Sequence, residues 1–292
     1  MFLAIEWTST NFHAWLLDQS GTIQGEHQCP RGVNSVTNKD FAGVVREELA
    51  HWLTKVDAIY ISGMATSRTG WLESPFATLP ARPQDLIKAA VEARPDGLPT
   101  VFFLPGLART LPLPDVMRGE EMAIFGIEGS LPKAIILPGA HSKWVTTDGE
   151  AITDLTTYMS GEVFNLLRKD SLVSKLIPAD YTPSPEGFDK GLAIARDKRA
   201  LPGGVLQRIF SARSLVLFDQ LPAAGIADYL QGLIIGCEIV EALSGKSQPS
   251  EIVVLGQSPI ADAYRTALAA FGIASPTRAA NAAYGFAKIL KQ

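Results

Sequence analysis

The stretch Phe2-Leu3-Ala4-Ile5-Glu6-Trp7-Thr8-Ser9-Thr10-Asn11 decides how this chain reads, because its pattern returns in mid-chain. An apolar run, Phe2 to Ile5, meets Glu6-Trp7 and then the polar loop Thr8 to Asn11. A second run, Phe12 to Leu17, leads to Asp18-Gln19-Ser20-Gly21. In mid-chain, Ala134 to Leu137 meets Pro138-Gly139-Ala140-His141-Ser142-Lys143, and Trp144-Val145-Thr146-Thr147 leads to Asp148-Gly149. Each copy reads as strand, hydroxyl-bearing turn, strand, Asp/Gly turn. Hydroxyls and backbone N–H groups in such turns are the donors that phosphate oxygens need. Two of them facing each other across a cleft would hold a polyphosphate between them. The pattern predicts a phosphotransferase with a duplicated core.

Composition fits that expectation. At 292 residues the chain is long for one core and sufficient for two lobes. Its hydrophobic fraction, 47%, is ordinary for a globular protein. No segment reads as a membrane span. The start MFLAIEW runs into strand pattern without the basic region of a signal peptide, so a cytoplasmic protein without a membrane partner is expected. Cys29 and Cys237 lie far apart and outside any CxxC or Cys/His cluster, which predicts reduced, buried thiols. The net charge is −4 and the 26 basic residues are dispersed. That disfavours nucleic acid as a partner and leaves room for a small anion at a local positive site.

Residues 2–7, 11–18 and 22–28 read as a three-stranded meander. Asn38 or Asp40 caps a helix whose apolar stripe is Phe41, Val44, Val45, Leu49 and Trp52. A short strand, Ala58 to Ile61, ends in Ser62-Gly63-Met64, and 64–83 is loop. A helix near 84–93, a strand near 100–104, a loop over 105–116 and a helix from Val116 to Gly126 follow. The second half repeats the order, with strands near 133–138, 143–147 and 151–155 and a helix from about Ser160. Residues 176–187 read as a connection and 188–220 as mainly helical. Ala227 to Leu243 reads as a long apolar helix and Glu251 to Leu255 as a strand, with helices near 259–271 and 280–291. Each half therefore starts with a meander and continues with alternating helices and strands, an α/β duplication. The boundary is placed at Glu128-Gly129-Ser130, giving lobes 1–129 and 130–292.

Several segments resemble those of the 2-dehydro-3-deoxygalactonokinase family. They are AIEWTSTNFHAWLLD (4–18), SGMATSRTGW (62–71), LPGL (104–107), DVMRGEEM (115–122), LPGAHSKWV (137–145), YMSGEVFNLL (158–167), GFDKGL (187–192) and DYLQGLIIGCE (228–238). VMRGEE and PGxHSKW are the specific ones. The resemblance implies a ribonuclease H-like, actin-like ATPase fold of two lobes with an interlobe cleft. It also implies phosphorylation of the 6-hydroxyl of 2-dehydro-3-deoxy-D-galactonate, with ATP and Mg²⁺ as cofactors.

Phosphoryl transfer needs a phosphate cradle, a metal, a base and acceptor-orienting groups. Thr8, Ser9, Thr10 and Asn11 with Gly139, Ala140, His141, Ser142 and Lys143 supply the cradle. A single such turn is ordinary hairpin chemistry; two with the same flanks favour the cradle. The resemblance places Mg²⁺ at Glu6, held through water. The acceptor site draws on Gly63, Met64, Ser67, Arg68, Trp71, Arg118 and Glu162. Arg118 and Arg68 are forks for a carboxylate, Ser67 and Glu162 readers of hydroxyls. Trp71 reads equally as a pocket wall or as core, and Arg68 equally as a solvated arginine. Asp115, Glu120 and Glu121 are the candidate bases, Glu121 first and Glu120 close behind, since adjacent helix carboxylates diverge by roughly 100°. Gly256-Gln257-Ser258, opening a helix after a strand, is the candidate nucleotide-base site. Cys237 and Glu238 read as packing and surface.

Four positions depart from the family pattern: Glu6 stands for aspartate, Thr8 for glycine, His13 for arginine and Ala140 for threonine. They motivate an alternative, a catalytically impaired sugar-acid binding or regulatory protein of the same fold. A phosphohydrolase of that fold would also use paired turns, and the segments 62–71 and 115–122 disfavour it.

Overall fold

Two mostly buried strands and one alternating strand open the first sheet. The computed structural model describes residues 1–197 and 204–290. Strands β1 (Phe2–Trp7), β2 (Phe12–Leu17) and β3 (Ile23–Cys29) form an antiparallel meander. Helix α1 (Phe41–Leu53) follows, its N-terminus capped by the Asp40 carboxylate, which accepts from the Gly43 amide at 2.8 Å. Phe41, Val44, Val45, Leu49 and Trp52 are all buried, as their spacing predicts. They pack on Leu3, Ile5, Trp7, Ile59 and Ile61. Strand β4 (Ala58–Gly63) returns parallel to β1.

The next segment is more extended than its sequence suggests. Strand β5 (Ala77–Thr78) and helix α2 (Pro83–Lys88) precede strands β6 (Val91–Ala93), β7 (Thr100–Phe103), β8 (Leu107–Arg109) and β9 (Asp115–Met117). The helix expected over 84–93 stops early because Val91 to Ala93 pair antiparallel with β7. The stretch 105–116, expected as loop, holds a small sheet of order β5-β8-β9. Val116 belongs to β9, and α3 (Glu120–Phe125) begins only after Gly119, whose φ of 109° breaks the helix.

The main sheet has the order β3-β2-β1-β4-β7-β6, with β4 and β7 parallel. A meander extended on its first strand by parallel strands is the ribonuclease H-like arrangement. Strands β10 (Ala134–Leu137), β11 (Ser142–Thr147) and β12 (Ile152–Tyr158) repeat it, joined by turns too short for a parallel crossover. Helices α4 (Ser160–Asp170), α5 (Pro185–Arg196), α6 (Gly204–Leu217) and α7 (Ile226–Ala242) lead to β13 (Val253–Val254), parallel to β10. The second sheet is β12-β11-β10-β13, the same order as β3-β2-β1-β4. Helices α8 (Pro259–Ala270) and α9 (Ala282–Leu290) close the described chain. The helical reading of 188–220 falls partly on 198–203, outside the described residues.

The chain divides into two compact units. The first holds Met1–Lys133, Val145–Leu155 and the described residues from Arg278; the second holds Ala134–Trp144 and the described residues of Thr156–Thr277. One helix, Ala223–Ala242, is long and apolar enough to cross a membrane by length and composition, which corrects the expectation that no segment passes that test. It is the central helix of the second unit, with Tyr229, Leu230 and Leu233 fully buried.

Candidate functional site

In the first unit, three carboxylates gather where β1 and β4 end. Strand register sets Glu6 opposite Ser62 on β4 and His13 on β2, so all three side chains share a face. The Ser62 hydroxyl donates to Glu121 Oε1 at 3.0 Å, and the Gly119 amide donates to both Glu121 oxygens at 2.8 Å. Glu121 is fully buried. Gly63 and Gly119 permit this approach: both have positive φ, and a Cβ on Gly119 would stand 3.2 Å from Gly63 Cα. Glu120, partly exposed, accepts from the Arg118 amide at 2.9 Å. Burial, then the Glu120 charge, raises Glu6 to about 7; the same causes raise Glu121 to about 7. Such a cluster of negative charge favours a proton or a cation among its members.

The turn Thr8–Asn11 is tied to itself. Thr8 Oγ1 accepts from the amides of Asn11 (3.0 Å) and Thr10 (3.4 Å), and Asn11 Nδ2 donates to Thr10 Oγ1 (3.2 Å). Amides of Val33 and Asn34 donate to the Thr8 and Ser9 carbonyls at 2.9 and 3.2 Å, fixing the turn from below. Thr10 and Asn11 stay exposed.

Arg118 does not present a free fork. Its Nη1 donates to the Thr66 carbonyl and hydroxyl, both at 2.7 Å, its Nη2 to the Ser74 carbonyl at 3.0 Å, and its guanidinium lies 4.2 Å over the Phe76 ring. The arginine thus holds the loop that carries the other acceptor candidates. In that loop, Met64 accepts from the Ser67 hydroxyl at 2.7 Å, and Arg68 is exposed, 3.5 Å from Glu73. Trp71 stacks on Phe41 and meets Trp7 and Phe103 edge-on. Asp115 lies on β9 opposite Arg109, whereas Glu120 and Glu121 open α3.

The second unit builds its turn around a buried acid. Ser142 Oγ donates to Glu238 Oε1 at 2.8 Å, Trp144 Nε1 donates to the same oxygen at 2.6 Å, and the Tyr264 hydroxyl donates to Oε2 at 2.7 Å. Lys143 is buried, with Nζ 2.9 Å from Thr157 Oγ1. His141 and Glu162, both partly exposed, form a short hydrogen bond, and the Glu162 amide donates to the Ala140 carbonyl at 2.9 Å. Helix α4 starts hard against the turn: a Cβ on Gly161 would stand 2.2 Å from the Gly139 carbonyl oxygen.

The profile of the 2-keto-3-deoxy-galactonokinase family matches residues 6–289. The chain belongs to this family. It is 30% identical over 279 residues to a Rhizobium meliloti protein named as a probable 2-dehydro-3-deoxygalactonokinase, covering 93% of this chain and 90% of that one. It is 28% identical over 278 residues to the Escherichia coli 2-dehydro-3-deoxygalactonokinase, with the same coverage. A crystal structure of a Sinorhizobium meliloti protein assigned as a 2-dehydro-3-deoxygalactonokinase superposes with a TM-score of 0.84 at 28% identity, covering 99% of this chain and 97% of that one.

In this family member the segment Gly256-Gln257-Ser258 opens α8, with Ser258 accepting from the Ala261 amide and Gly256 in a positive-φ turn. Arg265 braces it from within the helix, donating to the carbonyls of Val254 and Gly256. Glu238 is the residue that the sequence reading missed; it is not surface but 3% exposed, and burial raises its pKa. A signal was present. An acid inside the apolar run Leu233-Ile234-Ile235-Gly236-Cys237-Glu238-Ile239-Val240 must be paired to be buried.

Proposed function

We propose that this chain is an ATP-dependent kinase that phosphorylates the 6-hydroxyl of 2-dehydro-3-deoxy-D-galactonate. Family membership over residues 6–289 supports the reaction, and the observation that carries the site is the carboxylate cluster at the ends of β1 and β4. Glu120 takes the proton from the acceptor hydroxyl. Its carboxylate is reachable, whereas both oxygens of buried Glu121 are engaged with Gly119 and one also with Ser62. Glu121 sets the start of α3, so it positions Glu120. Asp115, opposite Arg109, is the weaker base candidate.

Glu6 suits Mg²⁺, because a carboxylate raised by burial and a neighbouring negative charge gains from a hard cation bound through oxygen. When bound, that ion neutralises donor-phosphate charge. In the first unit the turn Thr8–Asn11 offers backbone amides and hydroxyls to a phosphate; in the second the turn Gly139-Ala140-His141-Ser142-Lys143 offers its backbone amides, with the positive charge of Lys143 beside them. Arg68 meets the substrate carboxylate, Arg118 fixes the loop around it, and Gly63, Met64 and Ser67 line the acceptor. Trp71 supports that loop by packing. His141 and Glu162 act as a pair beside the second turn. Gly256, Gln257 and Ser258 receive the nucleoside.

ADP release measured with and without 2-dehydro-3-deoxygalactonate tests this reading. ADP release that depends on the acid is expected. Release that ignores the acid would indicate a hydrolase. Acid binding without turnover would indicate a binding protein.

A further inference from the structure

The sheet face opposite Glu6 carries a second set of chemistry-bearing side chains. Register pairs Glu6 with His13 and His13 with Gln28, so Gln28 shares the Glu6 face. His27 and Cys29 on β3 point the other way, onto the side covered by α1. Sequence alone showed no Cys/His cluster, but the histidine and cysteine two residues apart on one strand share a face, and α1 brings Glu48 to them. His27 Nε2 lies 2.8 Å from Glu48 Oε2. One nitrogen of His27, Cys29 Sγ and one oxygen of Glu48 all lie within 4.8 Å of one another.

We propose that His27, Cys29 and Glu48 form a binding site for a borderline-soft divalent cation of the Zn²⁺ type, which staples the edge strand β3 to α1. Zinc binds sulfur at about 2.3 Å and nitrogen or carboxylate oxygen at about 2.0–2.2 Å, so tetrahedral ligands stand roughly 3.5 Å apart. The ligand atoms of the three side chains, all within 4.8 Å of one another, need to shift by only about 1 Å to reach that spacing. A thiolate, an imidazole and a carboxylate together select Zn²⁺ over Mg²⁺, whose preference is all oxygen. All three residues are partly buried, so an ion held there would be partly screened from solvent. Charge also balances. A dication with one thiolate and one carboxylate sums to zero, and Arg31, 2.7 Å from both Glu47 and Glu48, keeps Glu47 as its counter-ion. Binding releases the Cys29 thiol proton to solvent.

The site is independent of the phosphoryl-transfer reading, since it lies on the other face of the sheet. β3 ends the six-stranded sheet, and an edge strand gains from any tie to the helix above it. The effect is on stability: a ligand that binds only the folded chain stabilises it by RT ln(1 + [L]/Kd).

The test titrates chelator-treated protein with Co²⁺ and then with Zn²⁺. One equivalent of Co²⁺ should give a near-ultraviolet thiolate-to-cobalt charge-transfer band that Zn²⁺ abolishes. Cys29→Ser should lose the band and Cys237→Ser should keep it. His27→Gln and Glu48→Gln should each weaken Co²⁺ binding on the order of 10-fold or more. Zn²⁺ should raise the thermal midpoint of the wild type and not of Cys29→Ser. No band in the wild type, or a band that survives Cys29→Ser, would overturn the proposal. Should Cys29→Ser fail to fold by circular dichroism, the other two variants decide, and unchanged Co²⁺ affinity in both would overturn it.

Discussion

Glu121 and Glu238 are both buried acids, but they face different surroundings. Glu121 sits near a second negative charge, and burial with that charge raises it from 4.5 to about 7. Between those values the folded chain holds a proton that the unfolded chain has released. Stability from this group is therefore full below about pH 4.5 and lost as the pH rises through about 7. Glu121→Gln keeps one acceptor for the Gly119 amide and cannot titrate. The unfolding free energy of the wild type minus that of the variant should fall by up to about 3 kcal/mol from pH 4.5 to pH 7.5, measured by urea titration. A flat difference would mean that Glu121 stays ionised when folded. Glu238 instead accepts three donors at 2.6–2.8 Å. Glu238→Ala leaves Ser142, Trp144 and Tyr264 without that partner and should cost at least about 3 kcal/mol. Glu238→Gln should fold and raise the KM for ATP more than that for the sugar acid. Equal effects on the two KM values would separate Glu238 from the second turn.

At the scale of elements, Arg118 governs a loop rather than a single contact. Arg118→Ala removes three hydrogen bonds to Thr66 and Ser74, so the loop should loosen. Expected are a stability loss of about 2 kcal/mol and a sugar-acid KM raised by about 10-fold or more. Unchanged kinetics with lowered stability would leave Arg118 a purely structural clasp. The turn Thr8–Asn11 has the reverse problem, because Thr8 Oγ1 engages the amides of Thr10 and Asn11. Glu6→Asp with Thr8→Gly frees those amides and shortens the acid, and steady-state turnover should rise. A faster wild type would show that Glu6 and Thr8 form a compensated pair. The meander, the Asp40 cap and the stripe of α1 were legible because short apolar runs between polar turns and 3.6-residue spacing are local signals. The strand Val91–Ala93 and the sheet β5-β8-β9 were not, since partners distant in sequence make them. Gly119 was read as part of a helix, although its positive φ starts one.

For the whole molecule, the duplicated strand order was legible because the same strand–turn–strand pattern was written twice. The register of Glu6 beside Ser62, the Ser62–Glu121 hydrogen bond, the burial of Lys143 and the gathering of His27, Cys29 and Glu48 were not. Each depends on which face a side chain takes after folding. The return of the chain from Arg278 to the first unit was equally hidden, because a helix pattern carries no address. The proposed reaction moves one phosphoryl group from ATP to the 6-oxygen of the sugar acid. Phosphorus NMR of a complete reaction mixture tests it most directly. One new phosphomonoester, coupled to the C6 protons and stoichiometric with ADP, is expected. Inorganic phosphate as the only new signal, or a phosphoester at another carbon, would contradict it.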